Sequence, residues 1–173
     1  MPHDILSPWH DFYELIGAAA ATLVGLMFVA ASVGAGVFTL ERQVALRSFL
    51  SPTVVAFSVV LAASLIGIMP APNWAVPGLL LGGMGLLGVM YSARVWHRMV
   101  RDGLAKSINL EDRLWYAAAP AVAYLVLAGA GAAFGAEMMT ACVPMAVGMC
   151  LLLLAGIRNA WDMTTWVILK RRE

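Results

Sequence analysis

"LIGAAAATLVGLMFVAASVGAGVFTL", residues 15–40, contains no Asp, Glu, Lys, Arg, His or Pro. About 20 apolar residues of helix cross a bilayer core, and this run is longer than that. It reads as a transmembrane helix, so the question becomes how many more there are. Bulk composition points the same way. Of 173 residues, 62% are hydrophobic and only 12% charged, with a mean hydropathy of +0.84. A soluble domain carries about a quarter charged residues. Half that charge cannot cover a water-facing surface, which places the chain among all-α integral membrane proteins.

Four further runs reach spanning length: 53–71, 76–96, 114–135 and 138–157. No polar domain separates them, so residues 1–173 read as one transmembrane domain of five helices, with 158–173 as a cytoplasmic helical tail. The opening "MPHDILSPWHDFYE" carries acids but no Lys or Arg. A cleaved signal peptide has a basic n-region, so this segment is expected to stay and to lead into the first helix near Pro8.

Charge sets the expected orientation. With the N-terminus outside, the outer segments 1–14, 72–75 and 136–137 hold no Lys or Arg. The inner segments hold two (Arg42, Arg47), then five (Arg94, Arg98, Arg101, Lys106, Arg113), then four (Arg158, Lys170, Arg171, Arg172), together all 11 basic side chains. This is the positive-inside pattern, and a four-helix count would put basic clusters on both sides. Trp9 and Trp74 fall at the outer edge and Trp96, Trp115, Trp161 and Trp166 at the inner edge, as aromatic belts do.

Local signals suggest where helices begin and end. Ser7-Pro8 and Ser51-Pro52 read as N-cap and first helical residue. Gly103 is expected to end helix 3, and Asn109 with Glu111 and Asp112 to cap helix 4. Pro120 and Pro144 are expected to bend helices 4 and 5.

Small residues recur at helical spacing: Gly17, Ala21 and Gly25 on helix 1, then Gly78, Gly82, Gly85 and Gly88 on helix 3. Such stripes let helix backbones approach closely in lipid. Gly17, Gly25, Gly78, Gly82 and Gly85 are therefore candidate packing residues. They pack either within the bundle or, on helix 3, against a second copy.

Candidate chemistry is sparse. "MMTACVPMAVGMC", 138–150, places Met138, Cys142, Met145 and Met149 on one narrow helical stripe. Thioether and thiolate are soft ligands suited to Cu(I), but Met is also a flexible gap-filler in apolar cores. At the outer end His10 and Glu14 stand one turn apart beside Asp11, near His3 and Asp4; they could hold a divalent cation or simply offset the helix dipole. The metal candidates are thus His10, Glu14, Met145 and Met149. Glu137 is a further outer acid. Arg94, Arg98 and Arg101 share one face of helix 3 and suit anionic lipid headgroups. Arg158 and Asp162 are one turn apart and suit an ion pair, and Asn159 and Trp161 make that end of helix 5 a plausible helix contact.

The helix centres carry no ionisable side chain other than the sulfur and tyrosine groups, which argues against proton- or ion-coupled transport. Ser58, Ser64 and Ser92 have no base nearby, so no catalysis is expected. The three histidines cannot supply paired intramembrane haem ligands, so no cofactor is expected. The partners expected are the lipid bilayer and a second copy or another membrane protein, and no nucleic acid.

Met145-x-x-x-Met149 resembles the methionine pair of copper transporters, whose helices also carry GxxxG, though helix count and length differ. The strings "FYELIGAAAATLVGLMFVAASVG" and "IRNAWDMTTW" resemble a group of small, uncharacterised bacterial multi-pass inner-membrane proteins. That resemblance implies a bacterial inner-membrane location and no activity. The resulting expectation is a non-catalytic, oligomerising accessory, assembly or regulatory subunit. A homo-oligomeric channel for a small ion or solute is the alternative, and Cu(I) passage along helix 5 a third reading.

Overall fold

A computed structural model describes residues 7–35, 40–71, 73–101, 114–136 and 138–169. Among these residues the protein is all helical. A 3-10 turn, Ser7–Trp9, leads into α1, His10–Ala35. Then come α2, Leu40–Ile68, and α3, Ala75–Arg101. Helix α4 begins as a π-helical turn, Leu114–Ala118, and continues as Ala119–Gly135. A second 3-10 turn, Met139–Ala141, precedes α5, Cys142–Leu169. Among the described residues, four stretches are long and apolar enough to cross a membrane: His10–Ser32, Ala75–Arg98, Trp115–Gly135 and Cys142–Asp162. The apolar part of α2, Pro52–Ile68, is shorter.

Each helix packs most on one or two others. Helix α3 lies on α4, α4 on α5, α5 on α2 and α2 on α1. The order across the bundle is therefore α3–α4–α5–α2–α1, which differs from chain order. Paired contacts show that these neighbours are antiparallel: Tyr13 meets Gly67 and Gly17 meets Ser64; Gly78 meets Gly135 and Gly88 meets Tyr124; Gly148 meets Leu127 and Arg158 meets Trp115; Met145 meets Gly67 and Gly156 meets Phe57. Helix α5 sits centrally, with 50% of its span buried against 17% for α1.

The core follows from helical periodicity. On α5 the buried residues Cys142, Met145, Met149, Leu152, Ala155 and Asn159 step by three and four. On α3 the stripe is Gly78, Leu81, Gly85, Gly88 and Ser92. Tyr13, Phe57, Tyr124 and Leu127 fill the spaces between these stripes and are almost wholly buried.

Several helix limits differ from the sequence expectation. Helix α2 begins at Leu40 and runs through Pro52, which is an interior proline and not a first-turn residue. A proline there removes one intrahelical hydrogen bond and crowds the preceding turn, a cost of about 3 kcal/mol that the helix bears. Pro144 is only the third residue of α5, where the N–H is unpaired anyway, so it imposes no bend there. Pro120 does coincide with an irregularity, because the π turn ends two residues before it. A proline ring crowds the carbonyl four residues back, and a widened turn relieves that crowding. Helix α5 continues unbroken past residue 157 to Leu169. Gly103, Asn109, Glu111 and Asp112, expected to mark helix ends, lie outside the described residues, as do Lys106, Arg113, Glu137 and Lys170 to Arg172.

Candidate functional site

Four helices converge on a small, mostly apolar pocket with a few polar groups, near the end of the bundle where α3 stops and α4 begins. Helix α2 contributes Pro52 and Ala56, α3 contributes Tyr91, Ser92 and Val95, and α4 contributes Tyr116, Pro120 and Tyr124. Helix α5 closes it with Ala155, Gly156 and Asn159. Its volume is about 10 Å³, room for one water-sized group.

Two of the lining residues, Pro52 of α2 and Pro120 of α4, are prolines, and the π turn forms part of the wall. Single π turns inside helices are frequent at functional sites. Ser92 and Asn159 are buried at 6% and 3% exposure, on faces that otherwise carry apolar or glycine residues. Among the described residues, Asn159 Oδ1 is enclosed and accepts no hydrogen bond. A buried acceptor left unmet costs about 1–3 kcal/mol.

Arginine chemistry stands alongside. The Arg158 Nε donates to Asp162 Oδ2 at 3.3 Å, one helical turn on. The same guanidinium lies 5.8 Å from the centre of the Trp115 ring, on the π turn that carries Tyr116. The expected Arg158–Asp162 pair is thus present within α5, and the Arg158–Trp115 contact ties this turn of α5 to the start of α4. Both partners keep substantial exposure, so the pair adds at most about 1 kcal/mol.

The residues singled out from sequence are dispersed. At the opposite end, His10 Nδ1 lies 3.6 Å from Asp11 Oδ1 and 4.0 Å from Glu14 Oε2. The three could reach one ion, and all three are exposed. His3 and Asp4, proposed to join them, lie outside the described residues. Beneath this cluster the Tyr13 hydroxyl donates to the Cys142 carbonyl at 3.2 Å, pinning the start of α1 to the start of α5. Trp9 stacks on Tyr13, and Trp74 stacks on Phe134, at the same end.

The sulfur stripe is interior. Cys142, Met145 and Met149 are buried, whereas Met138 is 55% exposed. The Met145 methyl would stand 3.1 Å from a Cβ added at Gly67, so it fills the space that glycine leaves on α2.

The glycines divide into two sets. Gly78, Gly82 and Gly85 face α4, where their neighbours are Gly131, Gly135 and Ala128, so this stripe is occupied within the chain. Gly17 meets Ser64 of α2, whereas a side chain added at Gly25 would find open space. Arg94, Arg98 and Arg101 are exposed on the last turns of α3.

The sequence marks Asn159 as a helix-contact residue, and the pocket itself emerges only from the packing. The signal was there: Asn159 continues the heptad-spaced series Met145, Leu152, and Ser92 continues Gly78, Gly85. A polar side chain on a core-facing stripe is a functional-site indicator in membrane helices. No family model, curated protein or solved structure matches the chain.

Proposed function

We propose that the chain is a five-span protein of a bacterial inner membrane, N-terminus outside and C-terminus cytoplasmic, that works as a non-catalytic accessory, assembly or regulatory subunit. It acts through helix–helix contacts and oligomerises. The observation that carries this reading is the state of α1. Between Ala21 and Ser32 no side chain of α1 is buried. That surface combines small residues, Ala21 and Gly25, with large apolar ones, Leu26, Phe28 and Val29, exposed at 56%, 65% and 60%. A small-residue stripe beside exposed apolar side chains suits another helix better than lipid alone, because it permits close backbone approach. The basic ends of α3 and the Arg158 turn of α5 lie at one end of the bundle, which supports the orientation.

Native mass spectrometry in mild detergent tests the reading. A defined oligomer that Gly25→Leu reduces to a folded monomer is the expected result. An oligomer unaffected by Gly25→Leu and Ala21→Leu removes α1 as the contact. Orientation is tested separately, by impermeant maleimide labelling of cysteines introduced at Asn73 and Arg101. Asn73 should label from outside the cell and Arg101 only after permeabilisation.

A homo-oligomeric channel is the second reading. What favours it is Thr22 and Ser32, which place hydroxyl groups on the open side of α1 while donating to Ala18 and Phe28 carbonyls at 2.8 Å. A ring of three or more copies with ion conductance in planar bilayers supports that reading; a non-conducting ring counts against it.

A further inference from the structure

We propose that the pocket among α2, α3, α4 and α5 is a binding site for one hydroxyl group, with Asn159 as its anchoring residue.

The Asn159 side chain lines the pocket at 3% exposure, and Oδ1 has no donor among the described residues. A carboxamide both accepts and donates hydrogen bonds. Ser92, Tyr116 and Tyr124, from two other helices, also line the space, and hydroxyl and phenol groups have the same dual capacity. The space itself, about 10 Å³, takes a group of one heavy atom.

These facts select the ligand by elimination. Among the described residues no Asp or Glu lines the pocket, so a cation would enter uncompensated. Among the same residues no Lys or Arg lines it either, so an anion meets the same penalty. An apolar occupant leaves the amide unmet. A hydroxyl donates to Asn159 Oδ1 and accepts from a neighbouring hydroxyl or phenol. Bound there, it links α5 to α3 and α4 at the level where α2 and α4 carry their prolines.

Two sources offer that chemistry: a trapped water, or a glycerol or headgroup hydroxyl of a phospholipid. The lipid source rests on the membrane-spanning reading; the water source does not. The pocket lies within about two turns of the span ends near Arg98, Trp115 and Asp162, so a lipid hydroxyl would reach it by dipping inward from the headgroup level.

The test is a high-resolution structure of the wild-type protein in a lipid environment. The expected result is density at about 2.7–3.2 Å from Asn159 Oδ1. An isolated peak identifies water, and density continuous with an acyl chain identifies lipid. Asn159 paired to a protein donor, or a pocket without density, overturns the proposal. Thermal unfolding of Asn159→Leu gives an independent reading. With a hydroxyl bound, Tm falls by about 2–4 °C or more. A Tm that holds or rises means the amide had no ligand to lose, and overturns it.

Discussion

Gly85 of α3 lies directly on the backbone of α4, so close that a Cβ added there would stand 2.5 Å from the Ala128 nitrogen. Gly131 makes the reciprocal approach from α4 towards Gly82 and Gly78. Two helices meet without side chains between them. In lipid this contact rests on dispersion and shape, with no hydrophobic drive behind it.

Adding bulk at this seam should therefore destabilise the monomer fold. Gly85→Val is expected to cost about 1–3 kcal/mol through overpacking. Gly83 is the control: a Cβ there meets nothing within 4 Å. Gly83→Ala should be neutral or stabilising by up to about 1 kcal/mol, the helix-propensity difference. Denaturant unfolding in detergent micelles compares the two, and equal effects would discount the seam.

Met145 and Met149 are core residues with no exposed surface. The double substitution Met145→Leu/Met149→Leu keeps volume and should cost less than about 1.5 kcal/mol per site. Met149→Ala opens a cavity and should cost about 2–5 kcal/mol. Added Cu(I) is expected to leave the wild-type Tm unchanged. A Tm rise in the wild type that the double variant lacks would instead assign the stripe to a soft metal.

Tyr13 joins α1 to α5 through the Cys142 carbonyl. Tyr13→Phe keeps the ring packed against Trp9 and Phe12 and removes only the hydroxyl. The expected loss is about 0.5–1.5 kcal/mol, read by chemical unfolding. Tyr13→Ala also removes ring burial and should cost about 3–5 kcal/mol, by analogy with Phe→Ala in cores. Equal losses for the two variants would mean the hydrogen bond, not the ring, holds this corner.

His10, Asp11 and Glu14 are exposed. Glu14→Gln and His10→Ala should change stability by no more than about 0.5 kcal/mol, the usual range for surface sites. Isothermal titration with Zn²⁺ or Ca²⁺ checks the cation reading. Saturable 1:1 binding that Glu14→Gln abolishes would establish a site there.

Some features were legible residue by residue. The charge-free run 15–40 announced a spanning helix because every buried backbone group in lipid must be satisfied within the segment. The same logic placed the apolar spans of α3, α4 and α5 within about five residues, although α5 itself runs on to Leu169. The Arg158–Asp162 pair was legible because four residues make one turn. Proline positions were not fully legible. Pro52 looked like a helix start, yet α2 carries on through it, because tertiary packing offsets one lost hydrogen bond.

Which helix meets which could not be read from the chain. Periodicity marks the face of α3 bearing Gly78, Gly82 and Gly85, but any complementary small-residue face would fit it, in this chain or in another copy. The fold selects Gly131 and Ala128 of α4, and leaves Gly25 of α1 open. Likewise, Asn159 and Ser92 are far apart in sequence, and only packing of α5 against α3 and α4 brings them to one pocket. Sequence alone determined the helical, membrane-suited character of the chain, because hydropathy and backbone hydrogen bonding act locally, one segment at a time. The tertiary structure decided helix order, the sealed glycine seam and the pocket at Asn159, because these depend on shape matching between surfaces that local periodicity exposes but does not pair.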